Sequence, residues 1–554
     1  MPALARQPPR LVTFLAVLLL ALGTTGGALI SVLRPQVQRY ATARILAARE
    51  VHNLSGSRDY DLEVAAEIVF TIEAGLSFFH THAEGMGVIL LFAGTAVSSL
   101  VARGWLRRGV SALVGLSFLF PVGYLAYSGL ILGYGKDRGI ALAEQWLLIP
   151  FGSAAIAALL VACGAAVVAL AGRRRAARAE AGARGAGAAL PAADAWSPPP
   201  GAVLLAAILL IALAEIAGAS LGRWTPEIRT VARAWILATP AAHGLVGSRD
   251  VDDEIVAEAL VKLDGGLRLF HLHAEGIGLV IFAGGLVIST LVAAPRLRRV
   301  LHALLAVGGF GFPFGYLLWS GLIPSLGIER ARRLAEAVVL IPFGVALVGA
   351  LWLLSGLLAW QLCRGGARRG EDAPVPAPGG MALPPVSLVL ASMLLLVVAE
   401  VGGASMVRFK TDIERANRQR VEARAQVHGL VGVRQVDAET VDRLLARADF
   451  ALRLFHLHGE GMALVMFAGG MTIRRLRAAP SLGRLLYAML GAGGFLYPFG
   501  YLAWSLMIPA LGLDPSKDVA EYAVWIPFGG AALAATGIIA GILALELVRE
   551  GRRG

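Results

Sequence analysis

Nine of the ten histidines in this 554-residue chain obey one spacing rule. The string FFHTHAEGMG at 78–87 returns as LFHLHAEGIG at 269–278 and as LFHLHGEGMA at 454–463, at offsets of 191 and 185 residues. Each copy holds a first histidine (His80, His271, His456), a second two residues on (His82, His273, His458) and a glutamate four residues on (Glu84, Glu275, Glu460). An acid stands seven residues earlier (Glu73, Asp264, Asp449) and a third histidine 28 residues earlier (His52, His243, His428). Between these lie an arginine (Arg58, Arg249, Arg434) and two further acids (Asp61, Asp252, Asp437 and Glu63, Glu254, Glu439) at matching places. His302 alone falls outside the scheme and is read as incidental.

Imidazole beside carboxylate is the donor chemistry of Fe, Cu, Zn and Mn sites, and a second acid commonly fixes the ligand tautomer. The motif histidines, the glutamates after them and the acids seven residues before them are therefore the expected metal set. All nine repeated histidines are candidate cofactor ligands, b-type haem included. H-x-H-x-E-G is neither the H-E-x-x-H of zinc proteases nor the E-x-x-H of di-iron bundles, so the spacing names no particular metal. At 100° per residue the earlier acid, the first histidine and the glutamate share one helical stripe, while the second histidine turns about 200° away. One ring then serves a centre while the other bridges to a neighbour, or the motif serves two sites. The third histidine is placed to fold back as a ligand or a lid. Glu215 and Glu400 sit at matching points of apolar runs where the first copy has Thr24, and they are the expected proton-relay groups.

The elements that carry these residues follow from composition. With 57% hydrophobic and 16% charged residues and a mean hydropathy of +0.69, the chain is an integral membrane protein whose partner is the bilayer. Four apolar runs of about 20 residues or more accompany each motif, each long enough to cross roughly 30 Å of hydrocarbon as a helix. The expected fold is an all-α integral membrane protein of about twelve transmembrane helices, in three tandem four-helix repeats at 1–175, 201–363 and 384–554. Ala-, Gly-, Pro- and Arg-rich stretches at 176–200 and 364–383 read as linkers. The first run follows a basic stretch as a signal peptide would, but its counterparts lie mid-chain, so it is taken as a span. The third run of each set carries Pro-x-Gly-Tyr (Tyr124, Tyr316, Tyr501) and the fourth Ile-Pro-Phe-Gly, expected to be kinks and interfacial anchors.

Arginines at 103–108, 296–299 and 474–477 fall on the same side as the linkers and termini, which predicts an N-in, C-in protein of a bacterial inner membrane with outward-facing motifs. The net charge of +12 is accounted for by this topology signal, so no nucleic acid is expected. The chain has no phosphate-binding glycine loop, so no nucleotide is expected either. Cys163 and Cys363 are too few and too far apart for a disulfide scaffold, an iron–sulfur cluster or a zinc ribbon. The leading expectation is a metal- or haem-binding membrane protein with three outward sites, acting in electron transfer or as the membrane subunit of an oxidoreductase. It would have membrane or periplasmic redox subunits as partners and no bond-making site of its own. The alternatives are an ion- or proton-coupled transporter or channel using the same His and Glu groups, and a membrane scaffold subunit.

Overall fold

A chain in lipid must satisfy its backbone polar groups from within, and helices do so segment by segment. The computed structural model, described over residues 6–180, 196–364 and 383–552, is built from helices, with no strand among those residues. First come α1 (Arg10–Ala47), α2 (Arg58–Leu100), α3 (Gly104–Leu116), α4 (Leu119–Tyr134), α5 (Lys136–Ala143) and α6 (Ile149–Glu180). Next are α7 (Gly201–Ala238), α8 (Pro240–His243), α9 (Arg249–Leu291), α10 (Pro295–Gly311), α11 (Phe314–Leu326), α12 (Ile328–Ala335) and α13 (Ile341–Cys363). The last are α14 (Val386–Arg408), α15 (Lys410–Glu422), α16 (Arg434–Ile473), α17 (Pro480–Leu496), α18 (Phe499–Leu511), α19 (Leu513–Ala520) and α20 (Gly530–Gly551). Most of the two expected linkers lies outside the described residues.

Among the described residues, eleven helical segments are long and apolar enough to cross a membrane. The expected run at 454–473 is helical within α16 but is not among them. Only 13 residues separate its Glu460 from Arg474, so the apolar stretch after the motif is cut short. The helices up to Ala350 form one compact unit and those from Leu351 on a second. Within the first unit the two motif helices, α2 and α9, touch: Phe92 stacks on Phe282 with centroids 4.6 Å apart.

The polar stretches between the first and second runs are helical as well. Helix α1 has 38 residues and α2 has 43, about 57 and 65 Å of helix, roughly twice a hydrocarbon core. They run antiparallel, pairing Leu20 with Gly87, Gly27 with His80 and Arg34 with Glu73. Beyond the motif their seam is apolar, with Ala41, Ile45, Ala65, Ile68 and Ile72 buried beside Ile131 of α4. Equivalent clusters join α7, α9 and α11, and α15, α16 and α18.

Proline and glycine shape the remaining spans. A break precedes each Pro-x-Gly-Tyr tyrosine, between α3 and α4, α10 and α11, and α17 and α18. Gly135, Gly327 and Gly512, with φ of 82°, 76° and 84°, then turn the chain into the next short helix. Pro150 and Pro342 lack the N–H that would bond Trp146 and Val338, and the turns holding those residues, Glu144–Leu148 and Glu336–Leu340, widen to π geometry. Pro527 lies inside the corresponding π stretch, Glu521–Gly529.

One repeated acid belongs to the fold. Asp252 accepts backbone N–H groups from Val246 (2.8 Å) and Gly247 (3.0 Å). Asp437 does the same for Val431 and Gly432, and Asp61 for Ser55 and Gly56. Asp252→Ala is expected to free both donors at the entry to α9. Hydrogen exchange at Val246 and Gly247 should rise about tenfold, the consequence of losing about 1.4 kcal/mol of charge-assisted bonding.

Candidate functional site

The first histidine of each motif ties its helix to the helix before it. Nδ1 of His80 lies 2.8 Å from the Gly23 carbonyl oxygen, Nδ1 of His271 2.8 Å from that of Ala214, and Nδ1 of His456 2.9 Å from that of Ala399. A carbonyl oxygen only accepts, so Nδ1 carries the hydrogen and Nε2 is the nitrogen with the lone pair. Each of these carbonyls also faces the N–H of its own helix four residues on, which belongs to Gly27, Gly218 or Gly403. A Cβ there would come within 2.6, 2.7 and 2.7 Å of the imidazole Cε1. Glycine is thus the residue that leaves the carbonyl's second lone pair open to the ring. These glycines precede the first histidine at one constant spacing, a signal present in the sequence and passed over there.

Carboxyl groups gather beside the ring. Glu84 Oε1 is 3.7 Å from His80 Nδ1, and Glu460 Oε1 is 3.5 Å from His456 Nε2. The residue after each accepting carbonyl is Thr24, Glu215 or Glu400, so the earlier helix brings its own group to the motif. Glu215 and Glu400 are buried, at 8% and 7% exposure. Glu215 lies within electrostatic reach of Glu275, and Glu400 within that of Glu460. The two expected relay acids therefore belong to the motif sites themselves. In the first copy Thr24 turns back to its own helix, bonding Leu20 O at 2.9 Å, so Glu84 has no second carboxyl from α1.

The second histidine looks the other way, as its rotation requires on a helix that stays regular. His82, His273 and His458 place Nδ1 2.9 Å from the carbonyls of Phe78, Leu269 and Leu454 one turn back. Each ring meets the tyrosine of Pro-x-Gly-Tyr: Tyr124 at 4.6 Å between centroids, Tyr316 at 4.5 Å and Tyr501 at 4.4 Å. Tyr316 and Tyr501 hydroxyls stand 3.4 Å from Nε2 of His273 and His458. The tyrosines expected at the membrane interface are histidine partners, and the helix break before each presents it. In the third copy Tyr497 adds a hydroxyl 3.1 Å from that of Tyr501, where the other copies have Phe120 and Phe312.

Other residues of the expected set are drawn elsewhere. Glu73 forms a two-pronged ion pair with Arg34 at 2.9 and 3.0 Å, Asp264 is paired with Arg229, and Asp449 with Arg453 at 2.6 Å. They do share the predicted stripe with the first histidine, but arginine holds them. His243 and His428 place Nε2 3.1 Å from the carbonyls of Pro324 and Pro509. His52 sits at the matching Leu132, where burial pushes its pKa below the usual imidazole value. The start of α9, next to His243, and His271 are about 30 Å apart along the helix, so the third histidine is neither ligand nor lid for the motif. Among the described residues no three His, Cys, Asp or Glu side chains converge as metal ligands. The twelve-residue metal set is thus dispersed into a histidine–carboxyl cluster on one face, a histidine–tyrosine stack on the other and acid–arginine pairs beyond. His302, 6% exposed, lies 3.0 Å from the Ser289 hydroxyl and is a satisfied core residue.

Gly403→Ala is expected to push the His456 ring off the Ala399 carbonyl and cost about 1–3 kcal/mol. Nitrogen NMR of the labelled imidazole checks this through loss of the hydrogen-bonded Nδ1–H signal. Gly537→Ala, whose Cβ meets nothing within 4 Å, leaves that signal unchanged. No protein-family model matches this chain, and no curated protein matches its sequence.

Proposed function

We propose that the chain is a membrane protein whose motif sites take up and release protons, in the service of ion- or proton-coupled transport. The carrying observation is the Glu400–Glu460 pair beside His456. Two carboxyl groups held near each other away from water avoid like-charge repulsion by sharing a proton, and His456 places Nε2 3.5 Å from Glu460. The three groups come from two helices and are the ones this reading has exchange a proton. Glu215, Glu275 and His271 repeat the arrangement. Keeping such groups in an apolar bundle costs several kcal/mol unless they are paired, which favours a role in moving charge over one in stability.

The reading places three such sites in three tandem four-helix repeats, the first altered by Thr24. Charge bias in the connections supports N-in, C-in insertion in a bacterial inner membrane with the motifs toward the outer face. His80 stands about 30 Å along α2 from Leu100, one hydrocarbon thickness from the arginine side.

In liposomes under an imposed pH gradient, the purified protein is expected to carry protons, and Glu215→Gln with Glu400→Gln together to cut that flux at least tenfold. Flux indifferent to both substitutions, or none from the unaltered protein, overturns the proposal.

A second reading keeps metal or b-type haem in electron transfer, with other redox subunits as partners. It is favoured by one feature: an Nδ1–H bonded to a backbone carbonyl is the usual state of a histidine that ligates through Nε2, here His80, His271 and His456. Dithionite-reduced optical spectra with elemental analysis separate the two. A reduced haem band or stoichiometric Fe, Cu, Zn or Mn is the outcome expected of the second reading, and neither is expected of the first.

A further inference from the structure

The motif glycines that follow the glutamate in the first and third copies differ in their surroundings. Nothing lies within 4 Å of a Cβ built on Gly461. A Cβ on Gly85 would sit 2.6 Å from Oε1 of Glu275, a residue of the second motif, with its Cδ at 3.7 Å. The carboxyl group of α9 therefore rests on bare backbone of α2. The neighbouring rings follow the same seam, with His82 of the first motif facing His271 of the second, centroids 6.5 Å apart and planes 27° apart. On its other side His82 stacks on Tyr124, which lies within electrostatic reach of both Glu215 and Glu275. Lower on the same helices the Phe92–Phe282 stack holds the two backbones together.

We infer that the first two motifs build one composite site, in which Gly85, His82 and Tyr124 of the first position the Glu275 carboxyl of the second. Its functional meaning rests on the proton-handling reading above, because the first motif lacks a second carboxyl from its own helices and meets one through its neighbour. Glu275 is faced by Glu215 from α7, by His271 on its own helix and by Tyr124 from α4, while His82 of α2 lies against both His271 and Tyr124. Gly85 and His82 are positioning residues: they hold Glu275 where Glu215 and His271 reach it. The glycine of H-x-H-x-E-G thereby acquires a role in the first copy that its spacing alone does not reveal.

The test uses the full chain in liposomes, with the infrared C=O band of Glu275 assigned by its loss in Glu275→Gln. Gly85→Ala places a methyl where the carboxyl lies, and His82→Phe keeps a ring on Tyr124 while removing both nitrogens. Both are expected to move the band, and Gly461→Ala to leave it in place. In proton flux, His82→Phe should add less than twofold on a Glu275→Gln background although it lowers flux severalfold on its own. A Glu275 band unmoved by Gly85→Ala and His82→Phe overturns the composite site. If one of the two variants does not fold, the other decides. If the unaltered protein passes no protons, the transport proposal fails, and the infrared comparison still decides whether the motifs share Glu275.

Discussion

The bond from a motif imidazole to a backbone carbonyl of the preceding helix is the constraint on which the rest of the arrangement depends. A helix has already used its carbonyls once, and a second bond to one of them is open only where the next turn carries no Cβ. Glycine supplies that gap at Gly27, Gly218 and Gly403, and the ring that enters it sets how far α2 slides against α1, α9 against α7 and α16 against α14. In an apolar bundle with no water to accept the Nδ1–H, any other offset would leave a polar group unpaired at a cost of about 1–3 kcal/mol. The offset in turn decides which side chains meet. The residue beside the accepting carbonyl is carried to the motif glutamate, and farther out Arg34 and Arg229 reach Glu73 and Asp264.

The same bond also fixes the imidazole chemistry. With its hydrogen committed to Nδ1, each ring presents Nε2, in a setting that holds one carboxyl in the first copy and two in the others. The second histidine serves the opposite face of the same helix and is occupied by a tyrosine. Each motif helix therefore carries two distinct polar centres back to back, separated by the helix itself, and the two are not one coordination sphere. Differences among the copies sit where contact is made: Thr24 for glutamate, Tyr497 for phenylalanine, and a glycine that receives a neighbour's carboxyl in one copy and none in another.

Much of this was legible in the residues. Apolar runs gave helices long enough to cross a bilayer, proline and glycine marked the breaks before α4, α11 and α18, and the 100° rotation per residue placed the second histidine opposite the first. Retention through the copies was a weaker guide to chemistry than to importance. Asp61, Asp252 and Asp437 are retained because they hold a turn at the head of a helix, and His52, His243 and His428 because they close a neighbouring break. The tyrosines of Pro-x-Gly-Tyr, expected as interfacial anchors, also stack on the second histidines, a partnership that spacing along the chain does not reveal.

By itself the sequence determined everything that depends on position along one helix: its length, its apolar span, the stripe shared by acid, histidine and glutamate, and the opposite bearing of the second ring. Tertiary structure decided what stands across from each stripe. Which carbonyl accepts Nδ1, that Glu400 meets Glu460, that Arg34 removes Glu73 from the site and that Glu275 comes to rest on Gly85 are all consequences of the offset between packed helices. Spacing along a chain sets angle and rise within a helix, whereas the registration between two helices is set by where one surface has room for the other.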